Sequence, residues 1–505
     1  MPGLKSFVAT VAAAATRWGR RAVWFLVVLA FAVVLGFTSY AVTTLPDLAP
    51  WHTEILRGEF SARRPGGPQD FAGYQQLEAA LFATAARRAA DWTDLGDAYT
   101  YSRFNPASKV QRLAAGAPFN RSFRLSPEVP VGSALLVHGL TDSPYSMKAL
   151  AESLYRRGFE VTVLRLPGHG TWPSMLTRVT HDDWVAAVRL ATRDVAGRTP
   201  AGQPFYVGGY STGATLTLAY ALDSLADTSL RRPDRVLLVS PAIEISSLAT
   251  LANVMDLLAI LPVQAVQKVR WQSVQVEFDP YKFNSFPVNG TRQVNRATKE
   301  LQKRLAAAAA SGQLRQLPAV VTWQSVADST VGATGTLDRL YARLDGERHQ
   351  LVLFDTNRQG NWQLIESPRP RALVNRLVAS PRAYTLHLVS NQSGGDAPVT
   401  VQRYRPGETT AENVPTTLAW PADTVSLGHV ALPFPPDDPV YGYLAGSGHA
   451  GIRSLGSLLL RGEAGATTIA LGSLTRLRSN PFWALIDQQV GELVAADLAA
   501  PATGP

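Results

Sequence analysis

Gly209-Tyr210-Ser211-Thr212-Gly213 is the stretch of this chain with the clearest chemical potential. It follows a short apolar run, Phe205 to Val207, and precedes a helix-like one, Ala214 to Leu222, so the pattern reads strand, turn, helix. A serine at the apex of so sharp a turn takes a strained backbone, and helix and strand can approach that closely only if the residues two places to either side are small. Gly209 and Gly213 fill those places, which makes Ser211 a candidate nucleophile. The pentapeptide alone is short enough to arise by chance, so the surrounding pattern has to decide. A hydroxyl nucleophile needs a base to take its proton, a group to orient that base, and donors for the oxyanion that forms on an attacked carbonyl.

The elements that must position such groups run in order along the chain. Ser133 to Val137 is a continuous apolar run of the kind found in buried parallel strands, and it ends in His138-Gly139-Leu140-Thr141-Asp142-Ser143. A His-Gly turn there points the next backbone NH into a cavity, so the NH groups of Leu140 and Thr212 are the expected oxyanion donors. The His138 side chain itself is read as that of a turn residue satisfying backbone groups. A helix from about Ser146 to Arg156, a strand from Glu160 to Arg165 and the loop Leu166-Pro167-Gly168-His169-Gly170 form a crossover unit. Asp182, Asp183 and Trp184 open the next helix, and Val236 to Val239 is the strand after the serine-bearing helix.

Taken together, the strand ending in His138-Gly139, the Arg165 to Gly170 loop, the turn from Gly209 to Gly213, and an acid and a histidine further on resemble the α/β-hydrolase superfamily. Within it the resemblance is to the serine-hydrolase branch of monoacylglycerol lipases, lysophospholipases and carboxylesterases, and it covers about residues 119–494. It implies an α/β-hydrolase fold, a mostly parallel sheet with helices on both faces and an inserted helical cap. It also implies cleavage of lipid-like carboxylic esters through a serine, an acid and a histidine, in that chain order. Amide or peptide hydrolysis and acyl transfer would use the same groups. A non-catalytic binding protein of the same fold is the alternative of another class.

Asp328 stands three residues beyond the apolar run Ala319 to Ser325, on the same rim as Ser211, and is the expected acid. Its bland alternative is a cap for the helix near Thr334, and Asp355, after the next strand, is the reserve. The histidine departs from the family spacing, because none closely follows the strand from His349 to Phe354. Of the eight histidines, His52 lies before the domain, His138, His169 and His181 precede Ser211, His349 begins a strand and His387 alternates within one. His429, in a loop entering a Pro-rich segment, is the expected base, with His449 in a Gly-rich loop as its rival. The aromatic stretch from Phe278 to Pro287 reads equally as an acyl-pocket lining or as a loop packed on the cap.

Composition narrows the rest. Hydrophobic residues at 46% guarantee a sizeable core, and the absence of cysteine excludes disulfides, thiolate metal sites and a cysteine nucleophile. The net charge of +9 comes from scattered residues rather than a dense basic run, and reads as solvated surface. Neither a dinucleotide fingerprint, a phosphate loop, zinc spacing nor a basic-aromatic stripe is present, so no cofactor, metal or nucleic-acid partner is expected.

Residues 22–46 carry no charged side chain, long enough for the roughly 20 apolar residues of a spanning helix, and Lys5, Arg17, Arg20 and Arg21 precede them. That bias predicts a cytoplasmic N-terminus and a single-pass anchor, with the catalytic domain on the periplasmic or extracellular side; a cleaved signal peptide is the rival. The expected organisation is a cytoplasmic N-terminus (1–21), an anchor (22–44), a stalk and packing segment (45–118) and the first part of the core (119–241). A helical cap (242–317), the second part of the core (318–498, with an insertion at 356–424) and a tail (499–505) follow. The expected partners are a small-molecule or lipid ester and the membrane.

Overall fold

The computed structural model describes residues 21–499, apart from 30, 33–34, 37–38, 40–42, 93–94, 109, 111–118, 245–266, 359–366, 392–397, 422 and 445–475. Its centre is a sheet with ten strands among the described residues, in the order β1-β3-β2-β4-β5-β8-β9-β10-β11-β12. These are β1 (Phe123–Leu125), β2 (Gly132–Val137), β3 (Phe159–Leu164), β4 (Phe205–Tyr210), β5 (Arg235–Val239), β8 (Ala319–Ser325), β9 (Gln350–Phe354), β10 (Thr385–Ser390), β11 (Pro398–Tyr404) and β12 (Glu412–Ala419). β6 (Trp271–Ser273) and β7 (Phe286–Pro287) pair separately. From β3 to β10 every pairing is parallel; β1 at one edge and β11 and β12 at the other are antiparallel.

The central strands are apolar without interruption because both faces are covered. Leu135, Val137, Val207, Val236 and Leu238 pack on one side, beneath helices α3 (His181–Arg198), α4 (Thr212–Ala226) and α5 (Val288–Ala310). Leu136, Tyr206, Leu237, Val239 and Trp323 face the other, where α2 (Lys148–Tyr155) and α7 (Trp483–Ala499) lie. Alternate residues thus serve opposite layers, as the pleat requires.

Two segments depart from the outline the sequence suggests, and the expected insertion takes form. The stretch read as a stalk and packing segment is built into the domain: α1 (Phe71–Ala90) and the residues before it pack on the Arg165 loop, and Trp51, Phe60 and Tyr74 are buried. Arg165, fully buried, holds Glu59 at 2.9 Å and Glu78 at 2.7 Å, so two acids of this segment are bonded to the core. Within the segment read as a cap, α5 lies along α4, with Leu301 and Leu305 buried in the main core. Of the expected cap at 242–317, residues 245–266 lie outside the described residues. The insertion at 356–424 carries α6 (Pro368–Val378) and the strands β10 to β12, which lengthen the sheet beyond β9.

Residues 21–29 are helical, and Val23 to Leu29 are 48–69% exposed. Among the described residues no helix is long and apolar enough to cross a membrane, and the expected span at 22–44 falls partly outside them.

Candidate active site

β4 ends at Tyr210 and α4 starts at Thr212, leaving Ser211 alone at the turn with φ 54° and ψ −116°. A side chain rarely takes that backbone, and here the packing leaves no other choice. A Cβ on Gly209 would come within 2.4 Å of the Gly213 carbonyl carbon, and one on Gly213 within 2.0 Å of the Val137 oxygen. Both glycines are therefore obligatory for the crossing of α4 over β2 and β4. The Ser211 NH donates to Val239 O at 3.0 Å, which ties the turn to the end of β5.

Thr212 is the first residue of α4, and Leu140 lies on the loop that follows β2. Among the described residues, no protein acceptor takes either NH. His138 is occupied as the sequence suggested: its Nε2 accepts from Leu166 NH at 3.0 Å, which leaves Nδ1–H to donate to Gly139 O at 2.8 Å. Burial holds its pKa well below the usual histidine range.

Asp328, just past β8, is buried and engaged on both oxygens. Oδ2 accepts from His429 Nδ1 at 2.9 Å and from Ser240 Oγ at 3.0 Å, while Oδ1 accepts from the NH groups of Thr330 and Val331. Burial pushes its pKa up, but the neighbouring His429 charge and the hydrogen bonds outweigh it, so the carboxyl is held below the ordinary range. Because the acid can only accept, His429 carries its proton on Nδ1 and keeps Nε2 as the basic nitrogen. Tyr210, adjacent to Ser211, packs its ring 4.9 Å from that of His429 and donates to the His429 carbonyl at 3.2 Å.

The long insertion leaves His429 beside β9 because its ends are stitched together. Thr356 and Ser426 form an antiparallel bridge, Asn357 NH donates to Val425 O at 2.7 Å, and its side-chain amide donates to Thr424 O at 3.0 Å. Ser325 Oγ then anchors the Leu427 carbonyl at 2.7 Å.

The remaining candidates are accounted for. Asp355 is bound by Arg358 at 2.7 and 2.8 Å and by Ser390. His349 accepts from Val320 NH, His387 is buried in β10, and His169 is bonded to Pro167 O. His52 belongs to the domain body, against Trp271 and Ser285. His449 lies outside the described residues. Phe278, Tyr281 and Phe283 are buried, with Tyr281 stacked on Tyr145 at 3.9 Å.

Sequence reasoning missed Ser240, Tyr210 and Asp142. Ser240 has φ 41°, a strand-end strain with no sequence mark. Asp142 is buried in the Leu140 turn and meets Lys282 Nζ at 3.0 Å; burial raises its pKa, and the ammonium opposes that in part.

A strand-turn-helix serine and an acid-bonded histidine on the rim of a mainly parallel sheet are features of the α/β-hydrolase superfamily, which the similarities below support. Residues 128–358 match the family described as serine aminopeptidase, S33, a match that ends where the insertion begins and so does not reach His429. A thermostable monoacylglycerol lipase from Bacillus sp. (strain H-257) is 45% identical over 92 residues, 18% of this chain. The chain spans 35% of that relative's length. Similar solved structures include the lipolytic enzymes LipS and LipT from a metagenome, at 20% identity over 51% of this chain and 97% of the other, with a TM-score of 0.36. Another is a monoacylglycerol lipase from Paleococcus ferrophilus, at 20% identity over 51% and 98%, with a TM-score of 0.34.

Proposed function

We propose that the protein is a serine hydrolase of carboxylic esters, acting on lipid-like esters of the monoacylglycerol or lysophospholipid type. The observation that carries this reading is the 2.9 Å bond from His429 Nδ1 to Asp328, in a loop packed against the Ser211 turn through Tyr210. His429 Nε2 takes the Ser211 proton as Oγ attacks the ester carbonyl, and the NH groups of Leu140 and Thr212 hold the oxyanion. Asp328 stabilises the imidazolium formed. His429 then gives its proton to the departing alkoxide, and a water activated in the same way releases the acid from the acyl-enzyme. The lipid-like substrate is supported by the 92-residue similarity to a monoacylglycerol lipase.

A membrane anchor at 22–44 belongs to the same proposal, with the catalytic domain on the far side of the membrane. It is supported by the uncharged run from Ala22 to Pro46 and by the exposed apolar side chains of Val23 to Leu29. Alkaline carbonate washing of membranes tests it: an anchored protein stays in the pellet.

The matched family's description favours a second substrate, since an aminopeptidase would use the same groups on an amide. Hydrolysis of nitrophenyl esters from acetate to palmitate, of monoacylglycerol and lysophospholipid, and of aminoacyl anilides separates the two. Turnover rising with acyl length, and none of anilides, is expected; turnover of anilides alone would overturn the ester reading.

A further inference from the structure

The turn that carries Leu140 is held from outside the sheet. Thr141 has φ 64°, a left-handed backbone that a β-branched residue adopts only when its surroundings impose it. Asp142 lies folded against Gly139, where an added Cβ would stand 2.7 Å from its Oδ2. Three contacts from the stretch 282–290 hold this turn. Phe283 NH donates to Thr141 O at 2.8 Å, Lys282 Nζ meets Asp142 Oδ1 at 3.0 Å, and the Leu140 side chain covers Gly290 at the start of α5.

That stretch is itself fixed on its other side. Asp279 Oδ1 accepts from the NH groups of Tyr281 and Lys282, and the two oxygens of Glu277 accept from those of Asn284 and Ser285. His52, accepting from Ala49 NH on Nδ1, presents Nε2–H to Ser285 Oγ at 2.9 Å. Lys282 therefore projects from a braced loop onto the one acid of the oxyanion-side turn.

We infer that Lys282 is a positioning residue for the reaction: by holding the Asp142 carboxylate it keeps the Leu140–Asp142 turn in the strained form that aims the Leu140 NH at the substrate carbonyl. The inference rests on the ester-hydrolase reading above and on Leu140 as an oxyanion donor. Without the ammonium, a buried carboxylate loses its charged partner and gains by swinging towards water. The turn goes with it, Thr141 relaxes, and the NH leaves the point where negative charge develops. An oxyanion donor acts in the transition state, so the loss falls on kcat and leaves KM nearly unchanged.

The test compares wild type, Lys282→Met, Lys282→Arg and the double variant Lys282→Met/Asp142→Asn, full length in detergent. The readouts are kcat and KM on a neutral nitrophenyl ester, kcat and KM on an anionic ester, and thermal unfolding. Lys282→Met is expected to lower kcat about tenfold or more, with KM within about twofold on both esters, since a whole oxyanion donor is worth 10²–10³-fold. Lys282→Arg should restore most of the loss. The double variant, with a neutral amide in place of the stranded carboxylate, should exceed the single one; if Lys282→Met does not fold, the arginine and double variants carry the comparison. The inference is overturned if Lys282→Met keeps wild-type kcat, if the double variant is no better than the single, or if the defect is confined to KM for the anionic ester, which would make Lys282 a head-group contact. A folded wild type without ester turnover defeats the reading of the site, and the inference with it; an active wild type with unaffected Lys282 variants defeats the inference alone.

Discussion

Thr356 and Ser426 are paired in an antiparallel bridge although the whole of α6 and β10 to β12 lies between them in sequence. The insertion leaves the end of β9 and returns to it, so His429 stands where a short loop from β9 would have put it. A sheet extension of three strands has been added without moving the histidine that bonds Asp328.

The stitch makes its own prediction. Asn357→Ala removes the bond to Thr424 O and strands the Asn391 amide that Asn357 Oδ1 accepts at 2.9 Å. A buried amide left without its partner costs about 1–3 kcal/mol. The variant should lose that much in denaturant unfolding and also lose kcat, because the loop carrying His429 is no longer pinned. Unchanged stability would show that the bridge alone closes the insertion.

The acid can be dissected. Asp328→Asn should cost on the order of 10³–10⁴-fold in kcat, because the amide no longer enforces the tautomer that leaves Nε2 basic. Ser240→Ala removes one bond to a charged oxygen, worth about 1.5 kcal/mol or roughly tenfold. A Ser240→Ala effect as large as that of Asp328→Asn would mean that Ser240 does more than hold the acid.

Arg165 is one of the points where the N-terminal segment is bonded to the core, and one that pairs buried charges. Arg165→Met leaves Glu59 and Glu78 buried with no charged partner, and breaking a buried pair in this way costs about 3–5 kcal/mol. The expected readout is a lowered unfolding midpoint, together with new protease sensitivity between residues 50 and 90. A midpoint equal to wild type would show that the segment docks without the pair.

His52 predicts a pH dependence of stability. Burial lowers its pKa from 6.5 to about 3, so the folded state holds it neutral while the unfolded chain protonates near 6.5. Its contribution is therefore complete above pH 6.5 and is lost progressively as pH falls towards 3. His52→Asn should be less stable than wild type at pH 7.5, with the gap narrowing by pH 4.5 in thermal unfolding. A gap independent of pH would contradict a neutral buried imidazole.

Much of the fold and the site was legible because short-range rules dominate there. The runs at β2, β4 and β8 are apolar on both faces, and the glycines around Ser211 have no alternative once helix and strand cross. The carboxylate at a strand end and the backbone-bound His138 followed from the same logic. What escaped was set by distant partners. Nothing near Glu59 or Glu78 reveals that both meet Arg165, so the N-terminal segment read as a stalk. Ser240 and Asp142 are ordinary polar residues until Asp328 and Lys282 arrive from other parts of the chain. The segment 242–317 was legible as helical, but the place of α5 on α4 depends on Leu301 and Leu305 finding the core.

The most direct test of the central claim is intact-mass and peptide mapping after reaction with a fluorophosphonate, on wild type, Ser211→Ala and His429→Ala. The account predicts one adduct on wild type, located on Ser211, no adduct on Ser211→Ala, and labelling of His429→Ala slowed by orders of magnitude. A folded Ser211→Ala protein that still takes up the probe at the wild-type rate, or a folded wild type that takes up none, would contradict it.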